Sequence, residues 1–300
     1  MTPTVVTNAP EHDPDIQHLP FFAISTRFFE SLKSTYYQSI VAFDAFARVV
    51  IPVQAHLYYV VMSLARFNLF ALSYGFLLKQ CLALARGTLS RNAPTYKVGT
   101  NLSPASPLAK LLALEIAGIS VFWLWFTAVL RAIPTTQARV TYLLVAFIFA
   151  SPVHVQIVLS HFSQSVSIFA DPSKASPRLE LLESFPHRQL RTTMDVSCPP
   201  YLDWFHGGLN HQVSHHLFPR VPRFRFRDVQ KVVQGWVADE QRLASEGQFG
   251  QLEKNEGLNY KIMTFVDGNQ DVLRVLRDVS NQVRVLRACA QKVAAGEIDH

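Results

Sequence analysis

Two apolar stretches of twenty residues constrain this chain more than any other feature of its sequence. Residues 111–130 contain one charge, Glu115, and residues 140–159 contain no Asp, Glu, Lys or Arg. A helix rises about 1.5 Å per residue, so twenty residues cross a bilayer core about 30 Å thick. Soluble helices rarely run this long without a polar face. The short link at residues 131–139 therefore predicts an antiparallel transmembrane hairpin, with Pro152 kinking its second helix.

The residues before the hairpin are apolar but less continuous. Residues 49–85 are interrupted by Pro52, His56, Arg66 and Lys79. We interpret them as interfacial or membrane helices, and a further span within residues 67–84 stays open. More lysine and arginine residues flank the outer ends of the hairpin than lie in its loop, which has two arginines. This distribution favours outer ends in the cytosol.

Cysteine content and the N-terminus narrow the class of protein. Three widely spaced cysteines exclude a disulfide scaffold and a C-x-x-C metal site, and they favour a reducing environment. Residues 1–20 carry no signal or transit peptide pattern. We interpret this proline-rich stretch, with His12, Asp13, Asp15 and His18, as a solvated loop rather than a metal cluster.

The chain turns polar after residue 160. Prolines predict loops as far as Leu202, and residues 270–295 carry the apolar stripe of an amphipathic helix that packs on its own domain. The net charge of +6 raises the question of an anionic partner. Four arginines alternate with Phe224 and Phe226, and beside a membrane hairpin we assign them to phospholipid headgroups rather than nucleic acid; they are Arg220, Arg223, Arg225 and Arg227.

Four of the eleven histidines lie within residues 206–216. On a helix, Gln212, His215 and His216 share one face at spacings of three and four, and His211 lies four residues before His215. Imidazole ligands suit iron, copper, nickel and zinc, and the spacing alone does not choose among these metals. We expect Gly207, Gly208 and Trp204 to set the approach to this helix by a turn and close packing.

The segment GGLNHQVSHHLFPRVPR closely resembles the third histidine box of front-end membrane fatty acid and sphingolipid desaturases, in which glutamine opens a Q-x-x-H-H pattern. The segments HDPDIQHLPFFAIS, QIVLSHF, LRTTMDVSCP and GLNYKIMTFVDGNQDVL are similar to fungal delta-8 sphingolipid desaturases. The resemblance covers nearly the whole chain.

This resemblance implies a multi-pass enzyme of the endoplasmic reticulum membrane that uses a di-iron centre, dioxygen and electrons from cytochrome b5. Its substrate would be a membrane lipid, a ceramide or sphingoid base. Gln212, His215 and His216 match the third box, and Asn210 matches the asparagine before it. His161 resembles an additional histidine ligand that follows the last membrane helix, and His211 replaces a usual aromatic residue.

One departure from the family is large. The two earlier histidine boxes and the cytochrome b5 domain are not found in residues 1–300. We therefore expect a C-terminal part of a desaturase domain: residues 1–48 are a cytosolic segment following the second box, and residues 160–300 are a cytosolic region carrying the third. The ligand set for iron would be incomplete and the chain by itself inactive.

The sequence thus predicts an all-α polytopic membrane protein with a transmembrane helical hairpin and a cytosolic helical C-terminal region. The predicted reaction is delta-8 desaturation of a sphingolipid long-chain base. Two alternatives stay open: a front-end acyl desaturase of the delta-5 or delta-6 type, and a non-catalytic membrane-binding fragment that associates with a full-length desaturase.

Overall fold

The computed structural model describes residues 7–86, 108–164, 166, 184–246 and 260–295. Its α-helices are α1 (Ala45–Val50), α2 (Gln54–Ser63), α3 (Ala65–Ala85), α4 (Leu108–Ala132), α5 (Thr136–Ile148), α6 (Ser151–Phe162), α7 (Phe185–Thr192), α8 (Asp203–His206), α9 (Gln212–Leu217), α10 (Phe226–Ser245) and α11 (Phe265–Ala294). Short strands are β1 (Leu32–Lys33), β2 (Ile40–Val41), β3 (Asp195–Ser197) and β4 (Ile262–Thr264). The fold is mostly helical, as predicted. The predicted loop between α3 and α4 lies largely outside the described residues.

Four helical stretches are long and apolar enough to cross a membrane. They are Ala45–Ser63, Ala65–Ala85, Ala109–Ala132 and Thr136–Phe162. The last two form the predicted hairpin, in which the Thr135 hydroxyl accepts the Ala138 N–H and begins α5. The second helix is interrupted after Ile148 and resumes at Ser151. Pro152 lies in the first turn of the resumed helix, where a missing N–H is tolerated.

The described chain divides into two compact units, residues 60–154 and residues 1–59 with 155–300. Aromatic rings hold the smaller unit together. Phe70 on α3 lies 5.5 Å from Phe122 on α4 and 5.5 Å from Phe147 on α5, measured between ring centroids. Phe126 stacks on Phe122 at 5.3 Å and on Phe147 at 5.8 Å. These contacts bury apolar area and link three helices.

The larger unit is organised around α11. Its buried stripe includes Val272, Leu276, Val279 and Val283, which confirms the predicted amphipathic helix. Polar contacts fix it to the segment between α1 and α2. The Gln54 amide donates to the Leu276 carbonyl at 2.9 Å, the Ser280 hydroxyl to the Ile51 carbonyl at 2.9 Å, and Arg284 to the Pro52 carbonyl at 2.6 Å. The helix therefore packs on its own domain.

The prediction of loops through Leu202 is wrong at residues 185–192 and 195–197, and residues 165 and 167–183 lie outside the described residues. Helix α7 covers Phe185–Thr192, with the Ser184 hydroxyl capping its start and Pro186 in its first turn. A first-turn proline removes no helical hydrogen bond, so this proline marks the beginning of a helix and not a loop. Strand β3 follows and pairs in parallel with β4, placing Asp195 opposite Ile262. A second two-stranded sheet pairs β1 and β2 antiparallel.

Candidate metal centre

The predicted histidine helix is α9, six residues from Gln212 to Leu217. A carboxylate 18 residues earlier in the sequence fixes its start, because Asp195 on β3 accepts the Val213 N–H at 2.8 Å. Asp195 also accepts bonds from Gln230 at 2.9 Å and from the Tyr260 hydroxyl at 2.5 Å. Burial raises the pKa of Asp195 to about 6, although these hydrogen bonds act to lower it. Buried Asp195 thus joins three elements: α9, which we call the box helix, α10, and the segment that enters β4.

A glycine turn leads into the box helix. Gly207 and Gly208 have φ of 58° and 81°, the left-handed region that favours glycine. A Cβ at Gly208 would lie 3.1 Å from the Arg223 Cβ, so this glycine also allows close packing. Both observations confirm the predicted turn. The packing role predicted for Trp204 is wrong, since its side chain is 79% exposed.

Three imidazole rings from two distant segments lie together in the larger unit. The ring centroid of His216 is 5.5 Å from that of His161, at the end of α6, and 5.7 Å from that of His215. His161 and His216 are almost fully buried. The predicted candidates His161, His215 and His216 are therefore brought close to one another, with Gln212 one turn away on the same helix.

Hydrogen bonds orient the ring of His216. Its Nδ1 lies 3.0 Å from the Gln189 carbonyl oxygen on α7 and 2.8 Å from the Thr7 hydroxyl. A carbonyl oxygen can only accept, so Nδ1 carries the proton and Nε2 presents its lone pair. That lone pair meets the Gln212 amide nitrogen at 3.2 Å. Both Gln189 and Thr7 lie outside the predicted motif.

His161 is oriented in the same way by the N-terminal segment. Its Nδ1 lies 3.1 Å from the Asn8 side-chain oxygen and 3.5 Å from Asp13, and its Nε2 lies 4.0 Å from an Asp15 oxygen. Asp13 is fully buried and accepts the backbone N–H groups of Asn8 and Asp15. The prediction of a solvated loop is wrong for residues 7–20, and residues 1–6 lie outside the described residues.

The other histidines of the N-terminal segment have hydrogen-bond partners of their own. His12 Nδ1 lies 2.8 Å from the Thr35 hydroxyl, and His18 Nε2 lies 2.9 Å from the Asp15 carbonyl. The sequence signal that could have identified the segment was the pair of acids at Asp13 and Asp15. Asp13 and Asp15 lie on a single 3-10 turn. Their spacing therefore fits neither a helix nor a strand that would direct both side chains to one point.

Burial also sets the protonation of the two adjacent histidines. The pKa of His216 is well below its ordinary value because burial disfavours the imidazolium, and His161 and His215 add repulsion. The pKa of His215 is lowered by burial and by the Arg223 charge. Because both pKa values are lowered, His215 and His216 are neutral at neutral pH. Neutral imidazole is the form that binds metal ions.

Asn210 and His211 contact a different group, an ion pair between α8 and α10. The Arg227 guanidinium donates to both carboxylate oxygens of Asp203 at 2.7 Å and holds the pKa of Asp203 well below its usual range. The Asn210 amide donates to Asp203 at 2.8 Å, and His211 Nε2 lies 3.5 Å from the same carboxylate. Arg227 is thus an internal ion-pair partner, which corrects its assignment to headgroups.

Within the described ranges, no three His, Cys, Asp or Glu side chains form a group that could hold a metal ion by themselves. The donor chemistry nevertheless fits iron, which binds combinations of imidazole and carboxylate. Metal-binding histidines usually donate their second ring nitrogen to an oxygen acceptor. His161 and His216 both do so through Nδ1. Their Nε2 atoms face an Asp15 oxygen at 4.0 Å and the Gln212 amide nitrogen at 3.2 Å, respectively.

Comparison with known proteins identifies the family. The model of the fatty acid desaturase family matches residues 5–244. The chain belongs to the fatty acid desaturase family. The matched residues include the segment with Gln212, His215 and His216. No solved structure matches the chain.

Curated relatives are similar over nearly all of the chain. The Delta 8-(E)-sphingolipid desaturase of Emericella nidulans is 41% identical over 292 residues, covering 97% of this chain and 45% of the relative. The Kluyveromyces lactis enzyme of the same name is 39% identical, covering 96% and 42%. Delta(8)-fatty-acid desaturase 2 of Arabidopsis thaliana is 32% identical, covering 93% and 51%. The chain spans about half the length of these relatives or less.

Proposed function

We propose that a protein containing this segment introduces the delta-8 double bond into a sphingolipid long-chain base in an oxygen-dependent reaction. The observation that carries the proposal is the convergence of His161, His215 and His216, two of them with Nδ1 held by oxygen acceptors. The names of the fungal relatives support a sphingolipid substrate, a ceramide or sphingoid base. The apolar helices support delivery of that substrate from a membrane.

In this proposal the chain's residues hold and orient a di-iron centre. When bound, that centre would supply the activation of dioxygen needed to remove hydrogen from an unactivated methylene. His161, His215, His216 and Gln212 would hold metal, and the earlier histidine boxes of the family would complete the ligand set. Asn210 and His211 have a weaker claim, because they face Asp203.

The surrounding residues contribute orientation and exclusion of water. Asn8 and Asp13 fix the ring of His161, and Gln189 with Thr7 fixes the ring of His216. All four side chains are buried, so they act in a region of low dielectric where a hydrogen bond orients a ring strongly. Outer hydrogen bonds of this kind commonly change metal affinity by about 10–100-fold when they are removed.

Lipid analysis tests the reaction. The 300-residue chain, and the same chain joined to the two earlier histidine boxes of a desaturase of the family, are expressed in a host that makes no delta-8 base. A delta-8 double bond in the sphingoid bases of the joined form is expected, and its absence with confirmed membrane insertion would contradict the proposal. The same comparison shows whether residues 1–300 act alone or are a non-catalytic membrane fragment.

A second candidate is desaturation of an acyl chain, which the name of the Arabidopsis relative favours. Separate mass spectrometry of sphingoid bases and of acyl chains distinguishes the two reactions. A new double bond confined to acyl chains would replace the first proposal by the second.

The resemblance to these desaturases also supports a location in the endoplasmic reticulum membrane and electron supply by cytochrome b5. Depletion of cytochrome b5 from the expression host should lower the amount of desaturated product without changing the amount of protein. Fractionation of the host membranes should place the protein with endoplasmic reticulum markers.

A further inference from the structure

We propose that an exposed group of aromatic and arginine side chains next to the histidine helix binds the anionic headgroup region of a membrane. This aromatic–arginine surface consists of Tyr201, Trp204, Phe205, Phe224, Arg220, Arg223 and Arg225. The proposal does not depend on the reaction that the protein catalyses. It concerns how the larger unit is held against lipid.

Exposure of the rings is the first observation. Phe224 is 82% exposed, Trp204 79%, Tyr201 72% and Phe205 52%. Burying one such ring is worth about 1.5–3 kcal/mol, so leaving four in water is unfavourable. A contiguous exposed apolar group on a polar domain usually marks a binding surface.

Hydrogen bonds show that the two segments of this surface are neighbours. Arg227 binds Asp203 through two bonds of 2.7 Å, and the Arg223 guanidinium donates to the Gly207 carbonyl at 3.2 Å. Residues 201–207 and 223–227 therefore lie side by side. Arg225 also lies over the ring of Phe224, 5.8 Å from its centroid.

Contacts with α6 place the surface near membrane level. His206 Nδ1 lies 2.9 Å from the Gln156 side-chain oxygen, and the Gln156 amide donates to the Leu209 carbonyl at 3.4 Å. Gln156 belongs to the candidate span Thr136–Phe162, which has 27 residues. About 20 residues cross the hydrocarbon core, so a span of 27 residues has about seven more than the core needs. Gln156 lies among the last seven residues of the span, and the segment carrying Trp204 and Phe205 is hydrogen-bonded to it.

The chemistry of the surface matches lipid headgroups. Tryptophan and tyrosine concentrate at membrane interfaces, where their rings meet both apolar and polar surroundings. Arginine near an anionic membrane contributes about 1 kcal/mol per side chain. Arg225 forms an ion pair with Asp228 at 3.2 Å, but both side chains are largely exposed, so this pair competes weakly with phosphate. Such rings and cations also suit a protein interface, but the hydrogen bond between His206 and Gln156 of the candidate span favours a lipid surface.

Fluorescence of Trp204 tests the proposal in the full chain. Trp123, Trp125 and Trp236 are replaced by Phe, which leaves Trp204 of the four tryptophans. The protein is reconstituted in phosphatidylcholine vesicles containing about one fifth phosphatidylserine. Lipid brominated near the headgroup should quench Trp204 and shift its emission to shorter wavelength, whereas aqueous iodide should quench it little.

Charge variants test the arginines. The combined Arg220→Glu, Arg223→Glu and Arg225→Glu variant should lose most of the bromine quenching, and the corresponding Arg→Lys variant should keep it. A matched control, Arg277→Glu, Arg287→Glu and Lys292→Glu, changes the same charge at exposed positions of α11 and should also keep it. Circular dichroism checks that each variant is folded.

Two outcomes would overturn the proposal. Full access of iodide to Trp204 in the reconstituted protein, without bromine quenching, would place the surface in water and leave it for a soluble acidic partner. Equal loss of quenching in the α11 control variant would show that net charge, and not this surface, governs the contact.

Discussion

At the scale of single residues, the cluster of His161, His215 and His216 depends on side chains that are not themselves candidate ligands for a metal. Asn8 and Asp13 hold one imidazole, and Gln189 and Thr7 hold another. Each fixes which ring nitrogen carries the proton. A histidine motif read alone supplies the ligands but not this orientation.

Removing the adjacent histidines should remove the metal. In the joined form with all histidine boxes, His215→Ala with His216→Ala should abolish bound iron and delta-8 product, because two ligands are lost from one face of α9. Iron per protein by elemental mass spectrometry, product by lipid analysis, and alkaline extraction for membrane insertion are the measurements. His187→Ala on α7 is the control and should keep both; iron retained in the double variant would refute the assignment.

Asp13 should contribute to stability independently of metal. Asp13→Ala leaves the Asn8 and Asp15 N–H groups without their acceptor, and each unpaired buried group costs about 1–3 kcal/mol. We expect a lower thermal midpoint in detergent, followed by circular dichroism. Asp13→Asn retains an acceptor oxygen and should lose less. Equal midpoints for wild type and Asp13→Ala would contradict this role.

At the scale of elements, close contact between helices of the larger unit depends on one glycine of α11. A Cβ on Gly268 would lie 2.8 Å from the Met194 methyl and 3.3 Å from Leu159, and all three residues are buried. The glycine thus allows α11 to approach both α6 and the segment before β3.

Met194 and Leu159 are fully buried and have little room to move, so the overpacking in Gly268→Ala should exceed the helix preference of alanine and destabilise the protein by about 1–2 kcal/mol. Gly235→Ala on α10 is the matched variant, since nothing lies within 4 Å of its added methyl, and it should stabilise by about 0.5–1 kcal/mol. Chemical denaturation in detergent gives both values. The same sign of change for the two variants would contradict the packing argument.

The elements differ in how far the sequence could predict them. The hairpin and α11 follow from local apolar patterns, because burial of a continuous stripe is a local property of a helix. Helix α7 carries no such pattern, and Pro186, which by itself predicts a loop, lies in the first turn of this helix. The contact between Asn8 and His161 joins residues 153 positions apart, and no local pattern specifies such a pairing.

At the scale of the whole molecule, the membrane topology follows from the apolar helices and the distribution of charge. The hairpin loop at residues 133–135 should face the lumen if the C-terminal region faces the cytosol. The exposed Cys289 on α11 provides a natural reporter for the side of the membrane on which the C-terminal region lies.

Cysteine labelling in sealed microsomes tests this topology. With Cys81 and Cys198 replaced by Ser, an impermeant maleimide should label Cys289. In a second variant, Cys289→Ser with Pro134→Cys, labelling should occur only after detergent opens the membrane. Labelling of residue 134 in intact vesicles would contradict the predicted orientation of the hairpin.

The bond between Thr7 and His216 has a consequence for the timing of synthesis. The two residues are 209 positions apart. At about 5–20 residues per second, a ribosome delivers His216 about 10–40 s after Thr7. Strand β4, which supports β3 and the start of the box helix, follows later still. The cluster of His161, His215 and His216 therefore cannot assemble until both Thr7 and His216 have been synthesised, and a metal held by all three imidazoles can bind only after that.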